Sequence, residues 1–300
     1  MINSAQKYAQ RNRNTIFSEC GEILSINEFP GDQYVMCIRA PICASKAKPG
    51  NFLHVKCDDS LSMRRPLSIM RVEGDCLEIL YKIVGNGLRS LSLKVPGDKI
   101  SILGPIGKPF QLSQARPKPL LIGGGVGIPP MVYIADHIRK LRGDWAPLMI
   151  LGSELPFPFQ VIKSEIETAW LDKKINSTLS LIENWKIPCR LTSLSGFEGC
   201  YSGYVTELAR KWLITLPEKE LSKIEIFSCG PIPMLKAVAA LAKEYNLPCQ
   251  VSMEEFMACA VGGCAGCTIK IITDHGNFMK RVCVDGPIFE ASEIVWQQYE

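Results

Sequence analysis

The stretch MEEFMACAVGGCAGCTIKIITDHGNFMKRVC, residues 253–283, contains four cysteines whose spacing is typical of an iron–sulfur site. Cys259, Cys264 and Cys267 form a C-x4-C-x2-C run, and Cys283 follows a segment that predicts a β-hairpin. A [2Fe–2S] cluster needs four thiolates around two irons, three of them from one tight loop that leaves backbone N–H groups free for the bridging sulfides. We therefore predict that these four cysteines ligate a [2Fe–2S] cluster.

The residues between these cysteines fit the same prediction. Gly262, Gly263 and Gly266 lack a Cβ, so the backbone can wrap closely around an inorganic core. A four-cysteine zinc site and a group of buried cysteines without a metal stay open as alternatives. Zinc sites usually combine two C-x2-C pairs, and this stretch has one. The gap to Cys283 is shorter than in a plant-type ferredoxin, so we expect a ferredoxin-like loop and not a ferredoxin domain.

Length and composition limit the classes of protein that this chain can belong to. Its 300 residues, 47% of them hydrophobic, are enough for two ordinary domains and a small appendage. With 34 basic and 30 acidic side chains and no long run of one sign, the chain is not expected to bind nucleic acid or an anionic membrane. No membrane span is expected either, because the longest apolar stretch, 119–135, is interrupted by four glycines and two prolines.

The remaining cysteines indicate a reducing compartment. Nine of the 13 lie outside the four-cysteine stretch and mostly inside apolar, strand-like runs, where free cysteine behaves as a small hydrophobe. We therefore expect a cytoplasmic protein without a disulfide framework. Residues 1–16 carry basic side chains but no apolar face, so we expect a flexible extension there and not a transit peptide.

The first third of the chain predicts a β-barrel. Short β-type segments bounded by Gly, Pro, Asp or Asn follow one another through residues 17–115. The six segments are 17–26, 34–40, 51–55, 67–72, 76–84 and 99–103. Within them, Arg65 is held by Pro66 and offers a fixed guanidinium fork for a phosphate, while Ser68 can hydrogen-bond the edge of a heterocycle. The Gly85–Gly87 turn can donate backbone N–H groups to a second phosphate.

From residue 116 the pattern changes to alternating strands and helices, which predicts a parallel sheet with helices on both faces. A buried strand, 119–122, leads into the glycine turn Gly123–Gly127 and a helix that begins at Ile128 and continues to Leu141. The glycines allow a pyrophosphate to approach the positive end of that helix. Three further strand-helix pairs are predicted: 147–151 with 159–171, 190–193 with 205–213, and 224–227 with 233–245. The domains are therefore expected at 17–115, 116–248 and 249–300.

These motifs together resemble the ferredoxin-NADP reductase superfamily, in which a flavin-binding barrel carries R-P-x-S and a nicotinamide domain carries G-G-x-G-x-x-P and a late C-G-P-x-P-M turn. With the C-terminal cysteines, residues 17–290 resemble the electron transfer subunits of the two-subunit dihydroorotate dehydrogenases. Seven segments carry this resemblance in order: YKIVGNG, KVPGDKISILGPIGKPF, LLIGGGVGIPPM, GYVTEL, CGPIPML, SMEEFMACAVGGCAGC and RVCVDGPIF.

The resemblance implies a role for individual residues. Flavin contacts are implied at Arg65, Pro66, Leu67 and Ser68, at Leu80, Tyr81 and Lys82 beside the isoalloxazine and ribityl chain, and at Gly87 and Leu88 on the FAD pyrophosphate. A nicotinamide site is implied at Gly123, Gly124, Gly125, Gly127, Pro129 and Pro130, together with Cys229, Gly230 and Pro231, of which Cys229 is the candidate catalytic residue. Cluster ligation is implied at Cys259, Cys264, Cys267 and Cys283.

Three positions depart from the pattern of that family. Leu88 replaces a threonine, Thr192–Gly196 replaces an acidic segment expected at the ribose, and Phe256 replaces an arginine before the cluster loop. After the second parallel strand, Gly152-Ser153-Glu154 places an acid that would repel a 2′-phosphate, so we expect NAD to be preferred over NADP.

The resemblance also implies a function and a partner. A flavin exchanges hydride with a nicotinamide and passes single electrons to the cluster. Electrons would run from the FMN of a catalytic dihydroorotate dehydrogenase subunit, in a heterotetramer, through the cluster and FAD to NAD+. None of the three histidines, His54, His137 and His275, suggests a dihydroorotate-oxidising site in this chain. Two alternatives stay open: a diaphorase-type subunit of a hydrogenase, sulfide dehydrogenase or ferredoxin:NADP+ oxidoreductase, and a non-catalytic zinc-bearing interaction module.

Overall fold

The N-terminal part of the chain folds into a closed antiparallel barrel, as predicted. The computed structural model describes residues 16–299, so the predicted extension at 1–16 lies almost wholly outside the described residues. The barrel strands follow the order β1-β2-β5-β4-β3-β6. Their bounds are β1 Phe17–Phe29, β2 Gln33–Arg39, β3 Phe52–Val55, β4 Arg65–Glu73, β5 Cys76–Lys82 and β6 Lys99–Ile106, with short helices α1 Pro41–Lys46 and α2 Asn86–Ser92. All six predicted strands are confirmed.

Strand alternation gives the barrel two different surfaces. Leu53, Leu67 and Tyr81 point into a buried core inside the barrel. Their neighbours along the strands point outward by the two-residue period, and Leu80 packs in a second core shared with the following domain. The outer face of β4 and β5 therefore forms one wall of the seam between the domains.

The second domain is built on a seven-stranded sheet in the order β12-β11-β8-β7-β13-β14-β17. All neighbouring pairs are parallel except the last, in which β17 runs antiparallel to β14. The bounds are β7 Lys118–Gly124, β8 Leu148–Gly152, β11 Cys189–Ser193, β12 Tyr201–Ser202, β13 Ile224–Cys229, β14 Cys249–Ser252 and β17 Ile288–Glu290. The sheet thus includes strands on both sides of the domain boundary predicted at residue 248.

Helices cover both faces of this sheet, which confirms the predicted architecture. On one face α3 (Ile128–Ile138) and α4 (Ser180–Asn184) bury Met131 and Ile182. On the other face α5 (Val205–Leu213) and α7 (Ile232–Glu244) bury Leu208 and Leu235. The short helix α6 spans Glu218–Leu221, and 3-10 turns span Gly125–Gly127 and Trp296–Tyr299. No described helix is long and apolar enough to cross a membrane.

The helix predicted at 159–171 is wrong. That stretch contains the short strand β9 (Val161–Lys163), which pairs antiparallel with β10 (Ser177–Leu179), followed by an irregular segment. The buried Arg190 side chain donates to the Ile166 carbonyl at 2.6 Å, and the Glu183 carboxylate accepts from the Glu165 N–H at 2.8 Å. These long-range bonds satisfy backbone groups that a helix would have paired within itself.

After β14 the chain forms the cysteine loop and then the predicted hairpin. The strands β15 (Thr268–Thr273) and β16 (Gly276–Arg281) pair antiparallel and directly connect the third cysteine to the fourth. Ile269 and Ile271 of β15 are buried in the same core as α5 and α7. The hairpin is therefore packed on the body of the protein, and it holds Cys283 beside the loop.

Candidate functional site

The four cysteines of the loop lie as two pairs. The Sγ atoms of Cys259 and Cys264 are 3.4 Å apart, and the thiols of Cys267 and Cys283 are close enough to interact. In residues 16–299 no three His, Cys, Asp or Glu side chains surround a position for a single metal ion. Two thiolates on each of two irons is the arrangement that a [2Fe–2S] cluster requires.

Backbone conformation brings the loop around its sulfur atoms. Ala260 and Ala265 have positive φ values of 54° and 52°, and Gly262 has a φ of 83°. The Cys264 N–H points at Cys259 Sγ and the Gly266 N–H at Cys264 Sγ, each at 3.4 Å. Amides aimed at sulfur favour the negatively charged forms that metals bind. The all-sulfur donor set and these amides fit an iron–sulfur cluster.

The thiols of the loop differ in pKa. Burial acts to raise the pKa of Cys259, but hydrogen bonds from the backbone amides of Cys264 and Val261 outweigh it and lower the pKa to about 7. Burial, together with the neighbouring Cys267 thiol, raises the pKa of Cys283 to about 12. Thiols must lose their protons to ligate iron, so the lowered pKa favours Cys259 for its predicted role as a ligand.

At the start of β4 and of α2 in the barrel domain, the predicted phosphate-binding groups come together. A Cβ added to Gly87 would lie 3.0 Å from Nε of Arg65, so the guanidinium group rests directly on this glycine. Gly85 has a φ of 88° and precedes the first residue of α2, so the predicted turn is followed at once by a helical turn that contains Gly87. An arginine fork beside free amides suits a pyrophosphate.

The side chains predicted to contact flavin fall into two groups. Leu67, Tyr81 and Leu88 are buried inside the barrel, so their side chains cannot line the seam and only their main chain is available to a cofactor. Pro66, Ser68, Leu80 and Lys82 alternate with them on the outer face. Leu88 thus fills the barrel core where a threonine would have offered a hydroxyl, which gives a physical reason for the departure from the family pattern at this position.

The two glycine-containing turns predicted for the nicotinamide also meet. A Cβ added to Gly127 would overlap the carbonyl of Cys229, and one added to Gly124 would lie 2.5 Å from the Met234 sulfur. Gly230 packs against the same methionine, and Pro231 begins the approach to α7. Gly123, Gly125, Pro129 and Pro130 complete the turn and the first residues of α3. The main chains approach each other so closely that only glycine fits.

Cys229 is fully buried, and burial followed by the nearby Glu254 charge raises the pKa of its thiol well above its usual range. Any catalytic role of Cys229, which remains a prediction, is therefore limited to a neutral thiol that packs against a ligand. Sequence reasoning did not identify Glu254. Glu254 is exposed at the surface and lies near Cys229, and the protein packed around its carboxyl raises the pKa of this group. The Met-Glu-Glu that directly follows β14 was the available signal.

His54 is a second residue that the sequence did not single out for the site. It lies on the outer face of β3 with 1% of its surface exposed, and neither ring nitrogen has a hydrogen-bonding partner within the described chain. Burial, followed by the charge of Arg64, lowers its pKa to about 4. The carbonyl of Met257 lies near the ring, so His54 stands between the barrel wall and the start of the cysteine loop.

Comparison with known proteins agrees with this geometry. Residues 254–295 match the family model of the iron-sulfur cluster binding domain of dihydroorotate dehydrogenase B. The electron transfer subunit of dihydroorotate dehydrogenase B (NAD(+)) from Caldanaerobacter subterraneus subsp. tengcongensis is 33% identical over 257 residues, which cover 84% of this chain and 88% of the relative. The corresponding subunit from Bacillus velezensis is 31% identical over 284 residues, which cover 91% of this chain and 96% of the relative.

Solved structures show the same fold. An NADH-dependent reduced ferredoxin-NADP oxidoreductase superposes with a TM-score of 0.72 at 24% identity, covering 93% of this chain and 90% of that chain. The ferredoxin reductase of carbazole 1,9a-dioxygenase gives a TM-score of 0.57 at 20% identity, covering 78% and 67%. Because the chain is 33% and 31% identical to the two subunits above over most of its length, it belongs to the family of dihydroorotate dehydrogenase B electron transfer subunits.

Proposed function

We propose that this chain carries electrons between the flavin of a dihydroorotate-oxidising partner subunit and NAD+, with a [2Fe–2S] cluster and FAD as its own redox groups. The observation that carries the proposal is the pair-wise arrangement of Cys259, Cys264, Cys267 and Cys283. Their loop begins beside Cys229 of the second domain and His54 of the barrel. The names of the relatives, which include NAD(+), support the choice of nicotinamide.

The residues of the seam have separate proposed roles. When bound, FAD supplies two-electron exchange with the nicotinamide and one-electron exchange with the cluster. Arg65 and the amides around Gly87 hold the pyrophosphate, while Pro66, Ser68, Leu80 and Lys82 form the wall for the ring system. Gly123–Pro130 and Cys229–Pro231 hold the nicotinamide nucleotide. Glu254 lies near Cys229 and is exposed, so it would position the nicotinamide or exchange a proton with solvent.

The partner is proposed to dock on the face that carries the exposed cysteine loop. Phe256 is 94% exposed, Met279 is 61% exposed and Val261 is 50% exposed, and Cys264 among them is also open to solvent. Exposed apolar side chains of this size, in the cysteine loop and in the hairpin that follows it, support an interface on this face. Phe256 takes the place of an arginine in related chains, so this interface would be more apolar here. A heterotetramer of two such pairs, acting in the cytoplasm, completes the proposal.

The proposed organisation keeps the division into a barrel at 17–115, a nicotinamide domain at 116–248 and a cluster module at 249–300. Strands β14 and β17 of the last segment extend the sheet of the second. The cluster module is therefore joined to the nicotinamide domain through a shared sheet, which fixes the loop relative to the glycine turns.

The test is to assay the purified chain with and without its partner. We expect the isolated chain to contain FAD, iron and acid-labile sulfide and to pass electrons from NADH to a dye. It should form no orotate from dihydroorotate and NAD+ until the catalytic subunit is titrated in, with activity saturating at one partner per chain. Orotate formation without the partner, or a titration that never restores NAD+ reduction, would favour a diaphorase subunit of another enzyme. A colourless zinc-containing preparation would contradict both.

A further inference from the structure

A cavity of about 640 Å³ lies at the edge of the parallel sheet opposite to the glycine turns. Lys118, Leu148 and Pro188, at or next to the amino ends of β7, β8 and β11, line it. Nucleotides bind open α/β sheets at the carboxyl ends of the strands, where the Gly123–Gly127 turn lies. The cavity is therefore separate from the proposed nicotinamide and flavin sites, and its size is in the range of pockets that bind small molecules.

Four of the five tryptophans of the chain line this one cavity: Trp145, Trp170, Trp185 and Trp212. They come from four separate places in the sequence, so their meeting is a product of the fold. All four are half-buried, and within residues 16–299 none of their indole N–H groups donates a hydrogen bond to protein. By contrast, the indole of Trp296 donates to the Ala291 carbonyl at 3.1 Å. All four rings pack on one side against the hydrophobic cores, and their N–H groups without protein partners leave hydrogen-bonding capacity for a ligand.

Of the three basic side chains that line the cavity, two are held in ion pairs, and Lys186 has none within residues 16–299. Arg139 lies over the Trp185 ring, with its guanidinium carbon 4.9 Å from the ring centroid, and it is fixed there by the buried Asp136 at 2.6 Å. Lys118 is paired with Glu220. Lys186 lies beside Trp185 with an exposed side chain, and the described part of the chain provides no ion-pair partner for it.

One acidic side chain, Glu167, lines the cavity together with these three basic ones. A cage of indoles alone would suit a cationic ligand. The unpaired Lys186 next to Trp185 distinguishes this cavity from such a cage, because its ammonium group can meet an anion. Flat indole faces with an unpaired ammonium group next to them match a planar ring that carries a phosphate.

We propose that this tryptophan cavity is a second ligand site, distinct from the redox seam, which binds a planar aromatic anion of the nucleoside monophosphate class. The ring stacks on the indoles and the phosphate meets Lys186. The proposal does not depend on the electron transfer function, because the cavity shares no residue with the seam. Flavin content, iron content and NADH–dye activity therefore report on the seam, while binding at the cavity is measured separately.

The test uses the purified protein with its flavin and iron, and uridine 5′-monophosphate as the probe, because this nucleotide lacks the adenine ring of FAD and NAD. We expect saturable quenching of tryptophan emission and a matching calorimetric isotherm. Uridine alone and inorganic phosphate alone should each bind at least about tenfold more weakly, because uridine keeps only the stacking ring and phosphate keeps only the anionic group. Saturation with NAD+ should leave the affinity for the probe unchanged.

Matched variants complete the experiment. Lys186→Glu and Trp170→Leu should each weaken binding of the probe about tenfold or more, whereas Trp296→Phe, outside the cavity, should leave it unchanged. Lys186→Gln serves if the charge reversal fails to retain flavin. Absence of binding at millimolar probe, displacement of the probe by NAD+, or an unchanged affinity in both the lysine and the tryptophan variants would overturn the proposal.

Discussion

Cys259 in the loop and the cysteines of the parallel sheet are the same residue type in opposite environments. Cys229 and Cys249 are buried in β13 and β14, and burial raises the pKa of both thiols well above the usual range. Cys259 is only partly buried, and backbone amides of its own loop outweigh the effect of burial and lower its pKa to about 7. The comparison indicates that backbone amides aimed at a thiol can lower its pKa where burial alone would raise it.

Replacing cysteines of the loop, in comparison with replacing a cysteine of the sheet, should give the largest effect. We expect Cys264→Ser combined with Cys267→Ser to abolish iron and acid-labile sulfide, because one ligand is removed from each pair. FAD should remain, because the barrel wall and Arg65 are untouched. Iron, sulfide and flavin analyses, together with the visible spectrum, measure the outcome.

Cys249→Ser is the matched control for that variant, and it should keep full iron and sulfide. Survival of iron and sulfide in the double variant would show that the four cysteines are not the ligands. Loss of iron in the control would instead mean that the buried thiols take part.

Much of the fold and of the site was predictable because it depends on local patterns. The six barrel strands, the hairpin after Cys267 and the strand-helix alternation, except for the helix at 159–171, were confirmed. Glycine spacing also identified the turns that meet at Cys229, because only glycine allows two main chains to come so close. Such features are set by residues near each other in sequence, or by steric limits that a single residue type satisfies.

The parts that could not be predicted depend on partners far away in the sequence. The irregular segment after β9 is held by Arg190 and Glu183, which nothing in 159–171 reveals. Which flavin-motif side chains face inward depends on the register of the closed barrel, so Leu67 and Tyr81 could not be separated from Pro66 beforehand. The tryptophan cavity brings together residues from four elements that share no motif.

The close approach of the Gly123–Gly127 turn to the Cys229–Pro231 turn provides the next test of how backbone geometry affects nicotinamide binding. In Gly127→Ala the new methyl group would overlap the Cys229 carbonyl and push the turns apart. We expect kcat/KM for NADH with a dye acceptor to fall at least about tenfold, a loss of about 1.4 kcal/mol in transition-state binding. FAD and iron content should be retained.

Val126→Ala, which removes atoms from an exposed side chain in the same turn, is the control and should change kcat/KM little. Equal activity of wild type and Gly127→Ala would show that the contact between the two turns is not needed for nicotinamide binding.

A smaller effect is expected at the exposed acid after β8. The Glu154 carbonyl accepts a hydrogen bond from the Ser195 hydroxyl at 2.7 Å, so the loop that departs from the family pattern also fixes this acid. Arg190 is buried and bound to the Ile166 carbonyl, so it cannot offset the acid at a 2′-phosphate. We expect NADH to be preferred over NADPH, and Glu154→Gln to reduce the ratio of their kcat/KM values about fivefold, as for one exposed charge.

Glu167→Gln, at the opposite edge of the sheet, controls for the loss of a negative charge in general. A wild-type protein that prefers NADPH would contradict the assignment of Glu154 at the ribose.

The last comparison concerns the stability contribution of His54, which resembles the sheet cysteines because burial holds it neutral. Its pKa in the folded protein is about 4, against 6.5 for an unperturbed histidine. Between pH 6.5 and pH 4 the unfolded chain binds a proton at His54 that the folded chain does not bind. The free energy of unfolding therefore falls as the pH drops from about 6.5 towards 4. The shift limits the loss from this residue to about 3 kcal/mol at the acidic end.

His54→Leu removes this proton linkage and two unpaired buried nitrogens at once. We therefore expect the variant to match or exceed the wild type in urea stability at pH 7.5, and to lose less stability than the wild type between pH 7 and pH 5. His275→Leu, in the exposed hairpin turn, is the control and should follow the wild type at every pH. The visible spectrum is recorded throughout so that only protein with flavin and cluster is compared. If wild type and His54→Leu lose stability in parallel over this range, His54 is not held neutral by the fold. The effect of burial on the pKa of the sheet cysteines would then not extend to the outer wall of the barrel.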